Sequence, residues 1–190
     1  MGALIFNEEN HTYTLDGKPL MSVTKILRPA GADYSKIPPH VLENARVRGV
    51  ASHKACELYD LGILDNDSVD DIVRPYLNGW IKFVSEHDYE HIASEIPLYS
   101  EKYMYAGTPD KLCLLDGVKT IIDLKCTAKM SPVTALQTSA YAEPTSSTRR
   151  LCVRLKNDGT YEKREYTDKN DFYIFLSLLN IAKWSAKNGS

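Results

Sequence analysis

The sequence predicts an α+β fold with a central mixed sheet flanked by helices. Three observations lead to this prediction. Helical periodicity dominates residues 40–84, runs rich in β-branched and aromatic residues fill 91–126, and an apolar helical pattern returns after Thr167. The predicted core order is helix, three strands, helix, strand (αβββαβ), with a hairpin added at the N-terminus and a helix at the C-terminus.

The chain length indicates a single domain over residues 1–190. A chain of 190 residues can bury a hydrophobic core without disulfide or metal staples. We divide it into an N-terminal hairpin and loop extension over 1–39, a core over 40–166 and a C-terminal helix over 167–190.

The composition is that of a soluble globular protein, with 43% hydrophobic and 25% charged residues. No apolar run approaches the roughly 20 residues needed to span a bilayer, and the N-terminus lacks the basic segment of a secretory signal. We therefore expect a cytoplasmic protein with no membrane partner. The formal net charge of −2 gives no overall basic excess, so any nucleic-acid binding must depend on local charge.

The N-terminal region predicts a hairpin and a short helix. Residues 5–20 alternate in a strand-like pattern around Asp16-Gly17, a strong hairpin turn pair. A short helix is predicted to begin near Ser22. The following stretch up to Pro38-Pro39 is rich in proline and glycine, so we expect a loop there.

Two helices are predicted next. Residues 40–59 have apolar positions at helical spacing and end before Gly62. Ser68-Val69-Asp70-Asp71 resembles an N-terminal capping box for the second helix. Pro75 should kink this helix or delay its start.

The next predicted elements are mainly strands. A β-meander is expected from the runs HIASEIPLY, KYMYAG, KLCLL and VKTIIDLKC, with Asp116-Gly117 as one turn. A helix is predicted over 132–143, and Asn157-Asp158-Gly159 indicates a second hairpin. Thr167 is predicted to cap the last helix.

The four cysteines are too widely spaced for a compact metal site. Cys56, Cys113, Cys126 and Cys152 contain no C-x-x-C pair and suggest no disulfide framework. We expect buried free thiols.

The residues with the clearest chemical pattern are Asp110, Asp123 and Lys125. Side chains two apart on a strand share a face, so Asp123 and Lys125 point together while Leu124 faces the core. An antiparallel neighbour can bring Asp110 beside them. Paired carboxylates suit hard divalent ions such as Mg²⁺, which serve in phosphodiester hydrolysis. An Asp-x-Lys pair alone, however, is more often a surface ion pair.

Two helical pairs could complete such a site. His53 and Glu57 are four residues apart and share a helix face, as do Gln137 and Tyr141. An imidazole ligand would make a mixed site that accepts Mn²⁺ as well as Mg²⁺. A surface His paired with Glu is the simpler explanation of the first pair, and the second pair alone indicates little.

The order of these motifs is more specific than any one of them. Gly49-x-x-x-His53-x-x-x-Glu57, Glu95-Ile96-Pro97-Leu98, Gly107-x-x-Asp110, Asp123-x-Lys125 and Gln137-x-x-x-Tyr141 follow one another along the chain. With Pro109-Asp110 and Asp123-Leu124-Lys125, this order resembles the RecB-like branch of the PD-(D/E)XK nuclease superfamily, in particular stand-alone phage-type exonucleases. The resemblance implies a restriction-endonuclease-like core.

The resemblance also implies residue roles. His53, Asp110, Asp123 and the backbone carbonyl of Leu124 would bind one or two Mg²⁺ or Mn²⁺ ions, and Lys125 would be the catalytic lysine beside Asp110 and Asp123. Glu57, counted among the catalytic candidates, and Glu95 match positions of less certain role, which we expect to support the metal ligands. The expected nucleic-acid contacts are Gln137, Tyr141, Arg46, Arg48 and Thr127.

The sequence departs from some members of the superfamily. Only Cys152 follows the core, so we predict no iron–sulfur cluster. No Walker loop is present, so we predict no ATP use. From Arg149 to Arg164 six basic residues could form one wall of a DNA groove, although a solvated hairpin is an equal alternative.

We therefore expect a metal-dependent DNA exonuclease acting in phage-type recombination or DNA end processing. Its partners would be DNA and a single-strand annealing or other recombination protein, and its location the cytoplasm of a bacterial host if phage-encoded. The alternatives are a structure-specific or nicking endonuclease, a catalytically silent DNA-binding module and a structural metal protein.

Overall fold

A computed structural model describes residues 2–31 and 35–189 of the chain. The helices are α1 (Val23–Leu27), α2 (Pro39–Asp60), α3 (Arg74–Ser85), α4 (Val133–Thr145) and α5 (Asn170–Asn188), with short 3-10 turns at Arg28–Ala30 and Asn66–Ser68. The strands are β1 (Leu4–Asn7), β2 (Thr12–Leu15), β3 (Lys18–Ser22), β4 (Tyr89–Ser94), β5 (Leu98–Ser100), β6 (Tyr105–Gly107), β7 (Lys111–Leu115), β8 (Val118–Lys125), β9 (Arg149–Leu155) and β10 (Tyr161–Glu165).

The strands form two mixed sheets of five strands each. One has the order β1-β2-β3-β6-β5 with a parallel β3–β6 pair, and the other has the order β10-β9-β8-β7-β4 with a parallel β8–β9 pair. The predicted α+β class is thus confirmed, but the strands form two mixed sheets where one central mixed sheet is predicted.

The predicted β-meander over 91–126 is wrong in part. β4, β7 and β8 pair antiparallel in one sheet, but β5 and β6 leave it and join the N-terminal strands. The chain changes sheet after β4, where Glu95 has a φ of 49° and Pro97 has no N–H with which to continue a ladder.

Both faces of β8 are buried, and each face contributes to a different apolar cluster. Ile122 and Leu124 pack toward α2 and α3, whose largest buried side chain is Trp80. Ile121 packs on the opposite side toward α1, α4 and α5. Asp123 and Lys125 alternate with Leu124 and therefore point to the α4 side.

The predicted hairpins are confirmed by their turn geometry. Asp16 and Gly17 have φ values of 50° and 76°, and Asp116 and Gly117 have 53° and 74°. Two consecutive positive φ values are the requirement of a type I′ turn. The short α1 helix is also confirmed, with the Ser22 hydroxyl accepting from the backbone N–H of Lys25 at 3.2 Å. The predicted loop before Pro38 falls partly on residues 32–34, which lie outside the described residues.

Two helix starts differ from the prediction. The Ser68 capping box is wrong, because α3 begins only at Arg74 with Pro75 in its first turn, where a missing N–H is harmless. Thr167 does not cap α5, which begins at Asn170. The Asp168 carboxylate instead accepts from the backbone N–H of Asn170 at 2.8 Å.

The cysteine prediction is confirmed. All four thiols are free and buried. Burial raises the pKa of Cys56, Cys113 and Cys152 to about 12 each, which disfavours the reactive thiolate.

No helix among residues 2–31 and 35–189 combines the length and the apolar character needed to cross a membrane.

Candidate active site

The centre of the candidate site lies at the end of β8. The Lys125 ammonium lies 2.9 Å from Oδ1 and 2.8 Å from Oδ2 of Asp123. Asp123 is buried at 2% side-chain exposure, whereas Lys125 is 26% exposed. The predicted shared face is therefore observed, with Leu124 fully buried on the other side.

Asp110 is held beside this pair by the strand register. It directly precedes β7, and Lys111 pairs with Ile122 on β8. Its Oδ2 accepts a hydrogen bond from the backbone N–H of Leu124 at 2.6 Å. This bond fixes one carboxylate oxygen of Asp110 and leaves Oδ1 to other partners.

His53 approaches the same carboxylate from α2. Its Nδ1 lies 3.5 Å from Oδ1 of Asp110 and 3.8 Å from Oε1 of Glu95. One ligand atom each from His53, Glu95 and Asp110 lies within 4.8 Å of the others. Such spacing allows all three side chains to hold one divalent cation.

The electrostatics of these groups are strongly coupled. Burial alone would lower the pKa of His53, but the charge of Asp110 and contacts with Asp110, Cys126 and Glu95 raise it well above its ordinary value. Burial would raise the pKa of Asp110, yet His53, Lys125 and the Leu124 N–H lower it.

Asp123 and Lys125 shift in the same upward direction. Burial raises the pKa of Asp123 to about 6, against the opposing charge of Lys125. Burial would lower the pKa of Lys125, but Asp123 and Asp110 raise it above the ordinary value. The carboxylates of the site thus face two basic groups, Lys125 and His53.

Gln137 and Tyr141 lie on one face of α4. Both line a cavity of about 530 Å³ that also contains His53, Glu57, Glu95 and Asp110. Tyr141 is 3% exposed, and its burial raises its pKa despite a hydrogen bond with Gln137.

Gly107 makes room for the Tyr141 ring. A Cβ built on Gly107 would lie 2.6 Å from Cε1 of Tyr141, closer than real Cβ atoms approach. The glycine of the Gly107-x-x-Asp110 motif therefore permits close packing of α4 against β6.

The remaining predicted residues lie around this centre. Glu57 pairs with Lys54 at 2.7 Å and lines the cavity. Arg46 is exposed and pairs with Glu43 at 2.6 Å, while the Thr127 hydroxyl donates to the Lys129 carbonyl at 2.8 Å. Arg48 lies over the Tyr76 ring, 5.5 Å from its centroid.

Most of the basic stretch 149–164 is neutralised by acids. Arg149 pairs with Asp116 and Glu165, Arg150 with Asp171, and Arg154 with Glu162. These three arginines therefore do not form a continuous basic wall for a DNA groove, because each one is already paired with an acidic side chain of the protein.

Two features go beyond the sequence predictions. Glu95, predicted to support the ligands, itself lies within 4.8 Å of the ligand atoms of His53 and Asp110. Lys111 forms a buried pair with Asp60 at 2.6 Å, both side chains being 1% exposed. The position of Lys111 in the apolar run KLCLL could have indicated this pair, because buried lysines are nearly always paired.

No protein-family model matches the chain, and no curated protein matches it. Among solved structures, one of LHK-Exo in complex with dAMP has a TM-score of 0.48 at 12% identity, covering 88% of this chain and 89% of that one. A structure of an alkaline exonuclease (LHK-Exo) from Laribacter hongkongensis has a TM-score of 0.42 at 12% identity, with 90% and 95% covered. One of SSO0001 has a TM-score of 0.36 at 14% identity, with 88% and 84% covered.

Proposed function

We propose that this chain is a divalent-metal-dependent DNA nuclease of the PD-(D/E)XK type. The observation that carries the proposal is the convergence of His53, Glu95 and Asp110 beside the ion pair of Lys125 with the buried Asp123. A DNA-binding module has no need of carboxylates gathered around one lysine, since carboxylates repel phosphate. A hydrolase that uses a cation does need them.

The donor set fits Mg²⁺ or Mn²⁺. Carboxylate oxygens suit both ions, and an imidazole nitrogen makes the site acceptable to Mn²⁺. Both oxygens of the buried Asp123 carboxylate lie within 2.9 Å of the Lys125 ammonium, so this end of the site already accommodates a cationic group.

We assign the metal to His53, Glu95, Asp110 and Asp123, with the Leu124 carbonyl as the expected backbone ligand. The bound ion would supply Lewis-acid stabilisation of charge on the phosphate. Glu57, on the cavity wall, supports this ligand set.

The side chains of the chain itself would then position the reacting groups. Lys125, held against Asp123, presents N–H donors toward the phosphate and the attacking water, where negative charge develops. Gln137 and Tyr141 on α4 hold the nucleic-acid backbone along the cavity wall. The N-terminal strands contribute Phe6 and His11 to the same wall.

We place the chain in the RecB-like branch and propose exonuclease action in recombination or DNA end processing. The order of the five sequence motifs supports this choice. DNA is the proposed substrate, with a single-strand annealing or other recombination protein as partner.

Cleavage of end-labelled linear DNA and of closed circular DNA tests the function. With Mg²⁺ or Mn²⁺ we expect linear DNA to be degraded and circular DNA to stay intact, and EDTA should stop the reaction. Cleavage of circles would identify an endonuclease instead. Binding without cleavage, with either metal and with both single- and double-stranded DNA, would contradict the nuclease proposal.

Glu95→Gln should weaken Mn²⁺ binding by at least about 10–100-fold, because loss of a group that only supports a metal ligand already costs this much. The reason is that the amide loses the negative charge that faces His53. Titration calorimetry with Mn²⁺ measures the change. Glu90→Gln, an exposed residue on β4, is the matched control, and equal affinities in the two variants would remove Glu95 from the ligand set.

A further inference from the structure

A second, basic cavity lies beside the candidate active site. It measures about 310 Å³ and is found at the carboxyl ends of the parallel strands β8 and β9. We call it the Arg48 cavity, and the residues that define it are Arg48, Tyr76, Thr127, Arg154, Lys156 and Asn157.

Arg48 is the group in this cavity with unused bonding capacity. Its Nε atom is buried and makes no hydrogen bond with any residue in the described part of the chain. Over residues 2–31 and 35–189, no carboxylate forms an ion pair with its guanidinium. The guanidinium as a whole therefore has no acidic partner in the described part of the chain, which leaves its terminal N–H groups available to an anion in the cavity.

The neighbouring basic side chains already have partners within the protein. Arg154 donates to Glu162 at 2.6 Å and to the Ala128 carbonyl at 2.8 Å, and Lys156 lies 3.7 Å from Asp158. Because acids balance their charges, Arg48 is the cationic group of this cavity that has no acidic partner in the described part of the chain. The Tyr76 ring, 5.5 Å from the Arg48 guanidinium carbon, holds the guanidinium plane in place.

The Arg48 cavity adjoins the candidate active site. Arg48 and Thr127 also line a larger cavity of about 830 Å³, which contains His53 and Lys125. Arg48 precedes His53 by five residues on α2, which is about 7.5 Å along the helix axis. An anion held by Arg48 is therefore a neighbour of the metal site and distinct from it.

We propose that the Arg48 cavity is a second phosphate subsite, which holds a backbone phosphate of the nucleic-acid strand next to the scissile one. The proposal rests on the proposed function for the identity of the strand. Arginine is the side chain best suited to a phosphate, because its planar fork donates two parallel hydrogen bonds. Arg48 is the principal ligand, and Lys156 and Asn157 lie around the same phosphate.

The test is the salt dependence of DNA binding. A short fluorescein-labelled single strand is titrated with protein in Ca²⁺, which replaces Mg²⁺ to prevent cleavage, at several KCl concentrations. Arg48→Gln should reduce the slope of log K against log[KCl] by about 0.7, the value for one phosphate contact on a single strand. Affinity should fall about tenfold, since a hydrogen bond to a charged group is lost.

Two further variants make the result specific. Lys82→Gln removes one positive charge from the outer face of α3, where Lys82 is 49% exposed, and should leave slope and affinity unchanged. Arg48→Lys keeps the charge and should retain the slope. An unchanged slope in Arg48→Gln would overturn the subsite. An equal reduction of the slope in Arg48→Lys would also overturn it, because the charge is kept there and the reduction would then be structural.

The two proposals fail separately. If the wild type cleaves DNA but Arg48→Gln binds as the wild type does, the subsite is wrong and the nuclease stands. If the slope changes as expected but no metal permits cleavage, the phosphate subsite stands and the nuclease proposal is wrong.

Discussion

Lys125→Ala is expected to slow DNA cleavage by about 10²–10³-fold, the effect of removing one donor that stabilises developing charge. The ammonium is held by two contacts with Asp123 at 2.9 and 2.8 Å, so its position is fixed before substrate binds. Alanine removes the donor, whereas the proposed ligands His53, Glu95 and Asp110 remain. The loss should therefore appear in kcat at saturating Mg²⁺ or Mn²⁺, measured with end-labelled DNA.

Lys119→Ala is the matched control for this variant. Lys119 lies on the same strand and is exposed, so its loss should leave cleavage unchanged. Circular dichroism establishes that both variants are folded. Undiminished cleavage by a folded Lys125→Ala protein would exclude the proposed mechanism, because no other described lysine pairs with Asp123.

Lys111→Met is expected to reduce the free energy of unfolding by about 3–5 kcal/mol, the cost of leaving one member of a buried ion pair uncompensated. Among the described residues, the donors left to the buried Asp60 would be the Trp80 indole N–H at 2.8 Å and the Tyr89 hydroxyl at 3.2 Å. Neither donor carries a charge. For a chain of this size the melting temperature should fall by about 6–20 °C, and urea unfolding measures the free energy directly.

The double variant Asp60→Asn/Lys111→Met separates charge from packing. It removes the uncompensated carboxylate, so it should be more stable than Lys111→Met alone. Lys111 also donates to the Ser94 hydroxyl at 3.0 Å, a bond that both variants lose equally. If the double variant is as unstable as the single one, the buried charge is not the cause of the loss.

The parts of the fold that the sequence predicts are those fixed by neighbouring residues. The turn at Asp16-Gly17 requires positive φ at two positions, and an Asp-Gly pair is the sequence that favours such a turn. The pairing of β3 with β6 has no such signal, because it joins Met21 to Tyr105 across a long stretch of chain. The division of the strands between two sheets was missed for that reason.

In the candidate site, too, some contacts follow from the local sequence and others depend on the folded chain. The shared face of Asp123 and Lys125 follows from strand periodicity and is observed. The approach of Glu95 to His53 depends instead on a backbone φ of 49° at Glu95 and on the packing of α2 against the sheet. Neither the φ of Glu95 nor the packing of α2 can be read from the residue types. The sequence therefore predicts only a supporting role for Glu95.

The parallel β3–β6 pairing has a consequence for how the protein assembles. Its ladder has two residue pairs, Met21 with Tyr105 and Ser22 with Ala106. A separate hydrogen bond of 2.8 Å connects Tyr13, on β2, with Thr108. Bringing together ends about 80 residues apart costs about 4 kcal/mol of chain entropy. So short a ladder offsets little of that cost, and the attachment of the N-terminal strands therefore depends on the burial of Tyr13, Val23 and Ile26.

The wall of the cavity depends on the same packing. The N-terminal hairpin contributes Phe6, from β1, and His11, from the turn between β1 and β2, to the cavity wall. The shape of the candidate site is thus set by the packing of the N-terminal extension as well as by the sheet that holds Asp110 and Lys125.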